Sequence, residues 1–237
     1  MLFRSRLETS CYVARLDRAA GGIIRALGLK REGRRIETLG DGITWWMGRK
    51  PQIRAESFGR LPIDETASGP VLLGLRVVYP KVLADENRLE VDYRFFRDFV
   101  EIDYTYRAVR AVDVTWLKIP VSLAATSERP GVAAGSRVPA HPLLTSGKAS
   151  QWTNDPAWHD VSYLGPDGFG LGVIARRALG GLYFMDSVRP GEREWIYAEP
   201  FGWKDPVHVD ADFSVRLTVV PHAPGEERAR DTLAKRD

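Results

Sequence analysis

The chain has 237 residues, 44% hydrophobic and 27% charged, with 34 Lys and Arg against 31 Asp and Glu for a net charge of +3. Such a composition excludes low-complexity and fibrous classes and gives enough chain to bury a sizeable core as one large domain. The charges are interspersed, not gathered into a basic helix or an Arg/aromatic motif, so neither a nucleic-acid partner nor, without an apolar run near ~18 residues, a membrane is expected.

Cys11, the lone cysteine, rules out an internal disulfide, a Cys-rich zinc site and a redox pair. The start MLFRSRLETS lacks the apolar h-region of a signal peptide, so the chain as written reads as cytoplasmic. If it is a fragment of a longer protein, a secreted or periplasmic site is the alternative.

Residues 7–17 alternate as a strand, with Tyr12, Ala14 and Leu16 on one face. Gly21 and Gly22 supply the positive φ values of a hairpin, and Ile23–Leu29 returns. Trp45 and Trp46 are adjacent on a strand and therefore point to opposite faces. Residues 51–70, rich in Pro, Gly, Ser and charge, suggest a long loop or irregular edge segment, and Val71–Tyr79 is a buried-strand pattern closed by Pro80.

The clearest β region is Arg88–Val121. Leu89, Val91 and Tyr93 alternate with charge, and so do Val100, Ile102, Tyr104 and Tyr106, which predicts a meander with one apolar and one charged face. Glu90, Asp92, Glu101 and Asp103 resemble an acidic site, but cross-strand pairing with Arg94, Arg107 and Arg110 is the expectation. Val112–Val121 reads as a third strand, with Lys118 near one end. Ala124–Gly147 reads as a long excursion carrying His141.

Gln151–Asp186 gathers most of the chemistry-bearing residues: Trp152 and Trp158 flank Asn154-Asp155-Pro156, with His159 and Asp160 next, at an expected loop-to-sheet junction. Glu194–Glu199 and Val207–Val220 complete the sheet, and 223–237 is a polar tail. Many short strands without helix–strand alternation give an all-β antiparallel sandwich with few or no helices, a single domain over 1–222.

No Walker loop, HExxH or GxSxG occurs, and Gly170–Ala175 (GLGVIA) lacks the strand-to-helix context of a dinucleotide fingerprint. His141, His159, His208 and His222 are too scattered for a metal signature, so neither metal nor cofactor is expected. His208 and Asp210 share a strand face, a spacing that suits a hydrogen-bonded surface contact more often than a metal. His159 can transfer a proton near neutral pH, with Asp160 or Asp155 to orient it. Trp152 and Trp158 offer flat apolar faces to sugar-ring C–H groups. In Ile196-Tyr197-Ala198-Glu199-Pro200-Phe201-Gly202-Trp203, Pro200 ends regular pairing and leaves Glu199 at a strand end among aromatics that would raise its pKa.

LETSCYVARLDRAAGGIIRAL resembles the opening of the galactose mutarotase-like β-supersandwich superfamily, and Glu199-Pro200 is similar to the segment carrying the general base of aldose 1-epimerases. The resemblance covers residues 5–222. It implies a large antiparallel supersandwich that handles carbohydrate, as in aldose 1-epimerases and the β-sandwich domains of α-mannosidases and polysaccharide lyases. For an epimerase it implies a glutamate base, matched by Glu199, opposite a histidine acid. The Asn-His-x-Tyr type segment of epimerases is absent, so His159 stands on its chemistry alone.

Three functions follow as expectations. The first is a carbohydrate-recognising domain, partnered by a sugar or polysaccharide and by a catalytic domain or subunit of glycoside hydrolase or polysaccharide lyase type. Its site would draw on Trp152, Trp158, Asp160, Arg177, Trp203, Lys204 and Glu199. The second is an aldose 1-epimerase-like isomerase, Glu199 taking the anomeric proton while His159 protonates the ring oxygen. The third is a structural sandwich without ligand. Arg177, Arg189 and Lys204 would select an acidic sugar in either of the first two.

Overall fold

The computed structural model describes residues 6–31, 34–37, 39–48, 52–115, 117–123, 131–135, 138–142, 150–153, 158–163, 170–176, 182–185, 194–201 and 206–223. Side chains are described for 6–30, 35, 39, 42–48, 52–115, 117–122, 170–173 and 206–223.

In chain order the first strands are β1 (Arg6–Glu8), β2 (Tyr12–Asp17), β3 (Ile23–Arg31), β4 (Arg34–Glu37), β5 (Leu39–Ile43), β6 (Trp46–Met47) and β7 (Ile53–Arg54). Next come β8 (Ile63–Ser68), β9 (Leu73–Pro80), β10 (Arg88–Phe95), β11 (Val100–Arg107), β12 (Val112–Val114), β13 (Leu117–Leu123), β14 (Gly131–Gly135) and β15 (Val138–Pro142). The last are β16 (Ser150–Thr153), β17 (Trp158–Tyr163), β18 (Gly170–Arg176), β19 (Leu182–Met185), β20 (Glu194–Phe201), β21 (Val207–Val209) and β22 (Phe213–His222). Only two short 3₁₀ turns, Arg18–Ala20 and Ala55–Phe58, interrupt them among the described residues.

An eleven-stranded sheet runs β1-β2-β3-β5-β13-β20-β19-β16, with β4, β6 and β7 attached beside it. A nine-stranded sheet runs β15-β14-β17-β18-β22-β11-β10-β9-β8, and β12 with β21 form a small third ladder. Neighbouring strands pair antiparallel, for example β10 with β11 and β13 with β20. The chain is an all-β antiparallel sandwich, as its alternating patterns imply.

The predicted strand over 7–17 is two strands. The Thr9 hydroxyl accepts from the backbone N–H of Cys11 (3.1 Å) and of Tyr12 (3.0 Å), a local turn that competes with the ladder and folds β1 back on β2. The glycine hairpin forms as expected. The Asp17 carboxylate accepts from Ala19 N, and Gly21 and Gly22 take φ of +73° and +76° before β3 departs.

The β9-β10-β11 meander keeps the predicted alternation, with Leu75, Val77, Leu89, Val91, Ile102 and Tyr104 buried in the core. They pack with Tyr12, Leu27, Ile43, Leu117, Ile119 and Val121 of the other sheet in one continuous cluster. Burial of each large aliphatic side chain contributes roughly 1.5–3 kcal/mol.

Elsewhere the chain departs from expectation. The predicted third strand divides: Val112–Val114 pairs with β21, and Leu117–Leu123 crosses to the eleven-stranded sheet between β5 and β20. The segment 51–70 supplies the edge strand β8, and the expected excursion 124–147 contains the hairpin β14-β15. Backbone pairing available at a sheet edge overrides the weak β-propensity of Ala, Gly and Ser.

Candidate functional site

Glu199 lies on β20, in the middle of the eleven-stranded sheet. The pairing of β13 with β20 matches Ile119 to Ala198 and Leu117 to Phe201. Two residues of β20, Glu199 and Pro200, therefore stand against one of β13, Lys118: a β-bulge. Proline has no N–H to donate to a ladder, and a bulge tolerates it. The strand continues through Phe201, so Glu199 sits at a bulge within the strand and not at a strand end.

On its other edge β13 pairs with β6, Lys118 opposite Trp46. Leu117, Ile119, Trp45 and Met47 are buried in the core, and strand alternation turns half-buried Lys118 and Trp46 to the outer face. β7 adds Arg54, whose guanidinium lies 5.0 Å from the Trp46 ring centroid while its Nε donates to Gln52 Oε1 at 2.8 Å. A cation over an indole face is held by the ring quadrupole. The outer face thus presents an aromatic plane and two cations beside the backbone position of a carboxylate. The opposite faces of Trp45 and Trp46 follow from the sequence, whereas the connection of Trp46, Arg54 and Lys118 with Glu199 does not. The link is a strand pairing between segments far apart in the chain.

The other expected residues are distributed over both sheets. Trp152 is on β16, opposite Tyr183, in the same sheet as Glu199. Trp158, His159 and Asp160 are on β17 of the nine-stranded sheet, opposite Ile174, Val173 and Gly172. The segment expected as a loop bearing both tryptophans is therefore largely strand, and it contributes to two sheets. The side chains of Trp152, Trp158, His159, Asp160 and Glu199 lie outside those described. Asp155, Arg177, Arg189, Trp203 and Lys204 lie outside the described residues altogether.

The acidic strands form an ion-pair ladder on the charged face of the meander. Asp92 accepts from Arg76 (2.7 and 2.9 Å), Glu90 pairs with Arg88 (2.9 Å) and Arg107 (3.2 Å), and Asp103 pairs with Arg216 (2.6 Å). Arg94 bridges Glu101 and Asp103. Burial pushes the Glu90 carboxyl up, but the hydrogen bonds and charges of Arg107 and Arg88 outweigh it and hold the group below the usual carboxylate range. Arg94 and Arg107 pair as expected. Arg110 has no carboxylate partner among the described residues. Asn87 instead holds its backbone, Nδ2 donating to Arg110 O (2.7 Å) and Oδ1 accepting from Arg110 N (2.8 Å).

His208 pairs across strands with Asp113 (Nδ1 to Oδ1, 2.8 Å) rather than with Asp210, which lies just past the end of β21. The hydrogen bond that His208 donates to Asp113, with the charges of Asp113 and Asp210, raises the imidazole above its ordinary pKa. His222 is buried, and its Nδ1 meets Ala223 O at 2.8 Å.

No protein-family model matches the chain, and no curated protein matches it in sequence. Solved structures do match in fold. A galactose mutarotase-like protein from Clostridium acetobutylicum superimposes with a TM-score of 0.60 at 7% identity, over 92% of this chain and 94% of its own. An aldose 1-epimerase candidate from Escherichia coli K12 gives 0.57 at 8% identity, over 92% and 98%. The α-N-acetylgalactosaminidase NagBb from Bifidobacterium bifidum gives 0.63 at 13% identity, over 98% of this chain and 38% of the glycosidase. The two-sheet sandwich defined by strand order is therefore the mutarotase-like β-sandwich fold. The chain spans well under half the length of the glycosidase and nearly the whole length of the other two proteins.

Proposed function

We propose that the protein is a carbohydrate-recognising β-sandwich, with its site on the outer face of the eleven-stranded sheet around Glu199. The reading rests on the bulge that sets Glu199 and Pro200 against Lys118, next to the Trp46–Arg54 stack. A sugar needs a flat apolar surface for its C–H face and fixed donors and acceptors for its hydroxyls. Trp46 supplies the first; Lys118, Arg54 and Glu199 supply the second. Trp152, on the same sheet, would extend the aromatic surface, and Trp203 and Lys204 follow Glu199 in sequence. A catalytic domain or subunit working beside such a module is supported by the glycosidase, in which the matched sandwich is a minor part of the chain.

Near-complete coverage of two mutarotase-like proteins supports a second reading, an aldose 1-epimerase-like isomerase. That reading requires Glu199 to take the proton of the anomeric hydroxyl and His159, on β17 of the other sheet, to reach and protonate the ring oxygen of the same sugar so that the hemiacetal opens and recloses.

NMR exchange between the anomers of a panel of aldoses, with the wild-type protein and Glu199→Gln, decides between them. For recognition alone, exchange stays at the buffer rate, sugar resonances broaden on adding protein, and Glu199→Gln weakens the broadening. For the isomerase, exchange accelerates and the substitution abolishes the acceleration. Sugar resonances that neither broaden nor exchange faster would remove both readings.

A further inference from the structure

The β9–β10 loop and the segment after β11 flank an open, shallow cleft of about 540 Å³, lined by Ile53, Lys81, Leu83, Asp85, Arg110, Val112 and two alanines. That volume lies in the range of small-ligand sites. The loop that forms one wall is held in an unusual backbone shape: Lys81 and Leu83 both have positive φ, 56° and 67°. Fully buried Asn87 fixes it. Its carbonyl accepts from Val82 N (3.0 Å), and its side chain donates to Tyr106 Oη (2.8 Å) and grips the Arg110 backbone on both sides. One buried amide thus sets the positions of both walls.

The cleft has a chemical bias. Arg110 is exposed and has no carboxylate partner among the described residues, whereas Arg76, Arg88, Arg94, Arg107 and Arg216 all pair with acids. Lys81 Nζ lies 3.5 Å from Asp85 Oδ1, a pair exposed on both sides. Two cations and one carboxylate leave the lining with a single net positive charge, and Ile53, Leu83 and Val112 add apolar patches to a mostly polar surface. We propose that this cleft binds the uronate residue of an acidic saccharide. Its carboxylate would take the planar fork of Arg110, with Lys81 as the second donor. Asp85 would accept from ring hydroxyls, and the C–H face would lie against the aliphatic side chains of Ile53, Leu83 and Val112. The single positive charge matches one carboxylate better than a phosphate dianion, and a neutral sugar would leave the Arg110 fork unfilled.

This inference rests on the carbohydrate reading but uses residues apart from Glu199, so the two can fail separately. The test follows the Arg110 Nε–Hε resonance while D-glucuronate, D-glucose or acetate is added at matched ionic strength. Glucuronate is expected to shift it saturably; glucose and acetate should not. Losing one charge-assisted contact weakens glucuronate binding about tenfold in Arg110→Gln, read in both proteins from the backbone amide resonance of Leu83 in the cleft lining. A melting curve checks that Arg110→Gln is folded. An unmoved resonance, equal saturation by glucose or acetate, or unaltered affinity in Arg110→Gln overturns the proposal. Failure of the Glu199 reading is recorded independently, by anomer signals insensitive to Glu199→Gln.

Discussion

At the scale of single residues, the turn between β2 and β3 separates two costs that are usually confounded. Gly21 and Gly22 are adjacent and have nearly equal φ, +73° and +76°. Alanine at either position takes on the left-handed penalty of roughly 1–2 kcal/mol. Their surroundings differ. A Cβ on Gly21 would lie 2.4 Å from Ala55 O, a backbone atom, while on Gly22 its nearest neighbour is a Val77 methyl at 3.0 Å. The methyl can shift by a few tenths of an ångström; the carbonyl cannot move without displacing the 3₁₀ turn at Ala55–Phe58. Gly22→Ala should therefore cost about 1–2 kcal/mol and Gly21→Ala about 3 kcal/mol or more. Urea midpoints at unchanged m-value measure both; equal costs would mean that the carbonyl contact is easily relieved.

At the scale of elements, the ladder across β10, β11 and β22 ties stability to acid. Glu90 is held below its ordinary carboxyl pKa of 4.5 in the fold. Its contribution is therefore fully present above the unfolded value and is lost as the pH falls through the folded one. Glu90→Gln should be less stable than wild type at pH 7, by a margin that shrinks as the pH is lowered below 4.5, since the other carboxylates are common to both proteins. Urea midpoints at several pH values read that difference; a margin constant with pH would show that Arg88 and Arg107 do not bias the carboxyl. These strands are legible in the sequence because apolar or aromatic residues alternate with polar ones over eight positions in each. The same periodicity is silent about which sheet a strand joins. Trp152 and Trp158 therefore looked like one loop's residues but belong to β16 and β17 on different sheets, and Val112–Val121 looked like one strand but serves two ladders. Glu199 could be singled out from its Pro and aromatic neighbours. Its placement against Lys118 could not, because a bulge is a property of two paired strands and neither sequence contains it alone.

At the scale of the whole molecule, two tyrosines join the sheets at opposite ends of β2. Tyr12 of the eleven-stranded sheet donates its hydroxyl to Phe96 O (2.6 Å) and Phe99 O (3.2 Å) in the β10–β11 turn. Tyr79 of the nine-stranded sheet donates to Gly21 O (2.7 Å) in the β2–β3 turn. Each clasp runs from a buried ring in one sheet to a hairpin turn of the other, and desolvation drives both phenol pKa values upward, so the hydroxyls stay protonated donors at every pH of interest. Phenylalanine at either position keeps the packing but removes the hydroxyl's hydrogen bonds to the opposite turn, at about 1–2 kcal/mol per substitution. The sites lie five strand residues apart along β2, roughly 17 Å, beyond the range in which substitutions usually couple. Tyr12→Phe and Tyr79→Phe should therefore add in the double variant to within about 0.5 kcal/mol. A double variant markedly worse than the sum would show that either clasp alone keeps the sheets together, and that the hairpin turns carry part of the cooperativity of the sandwich.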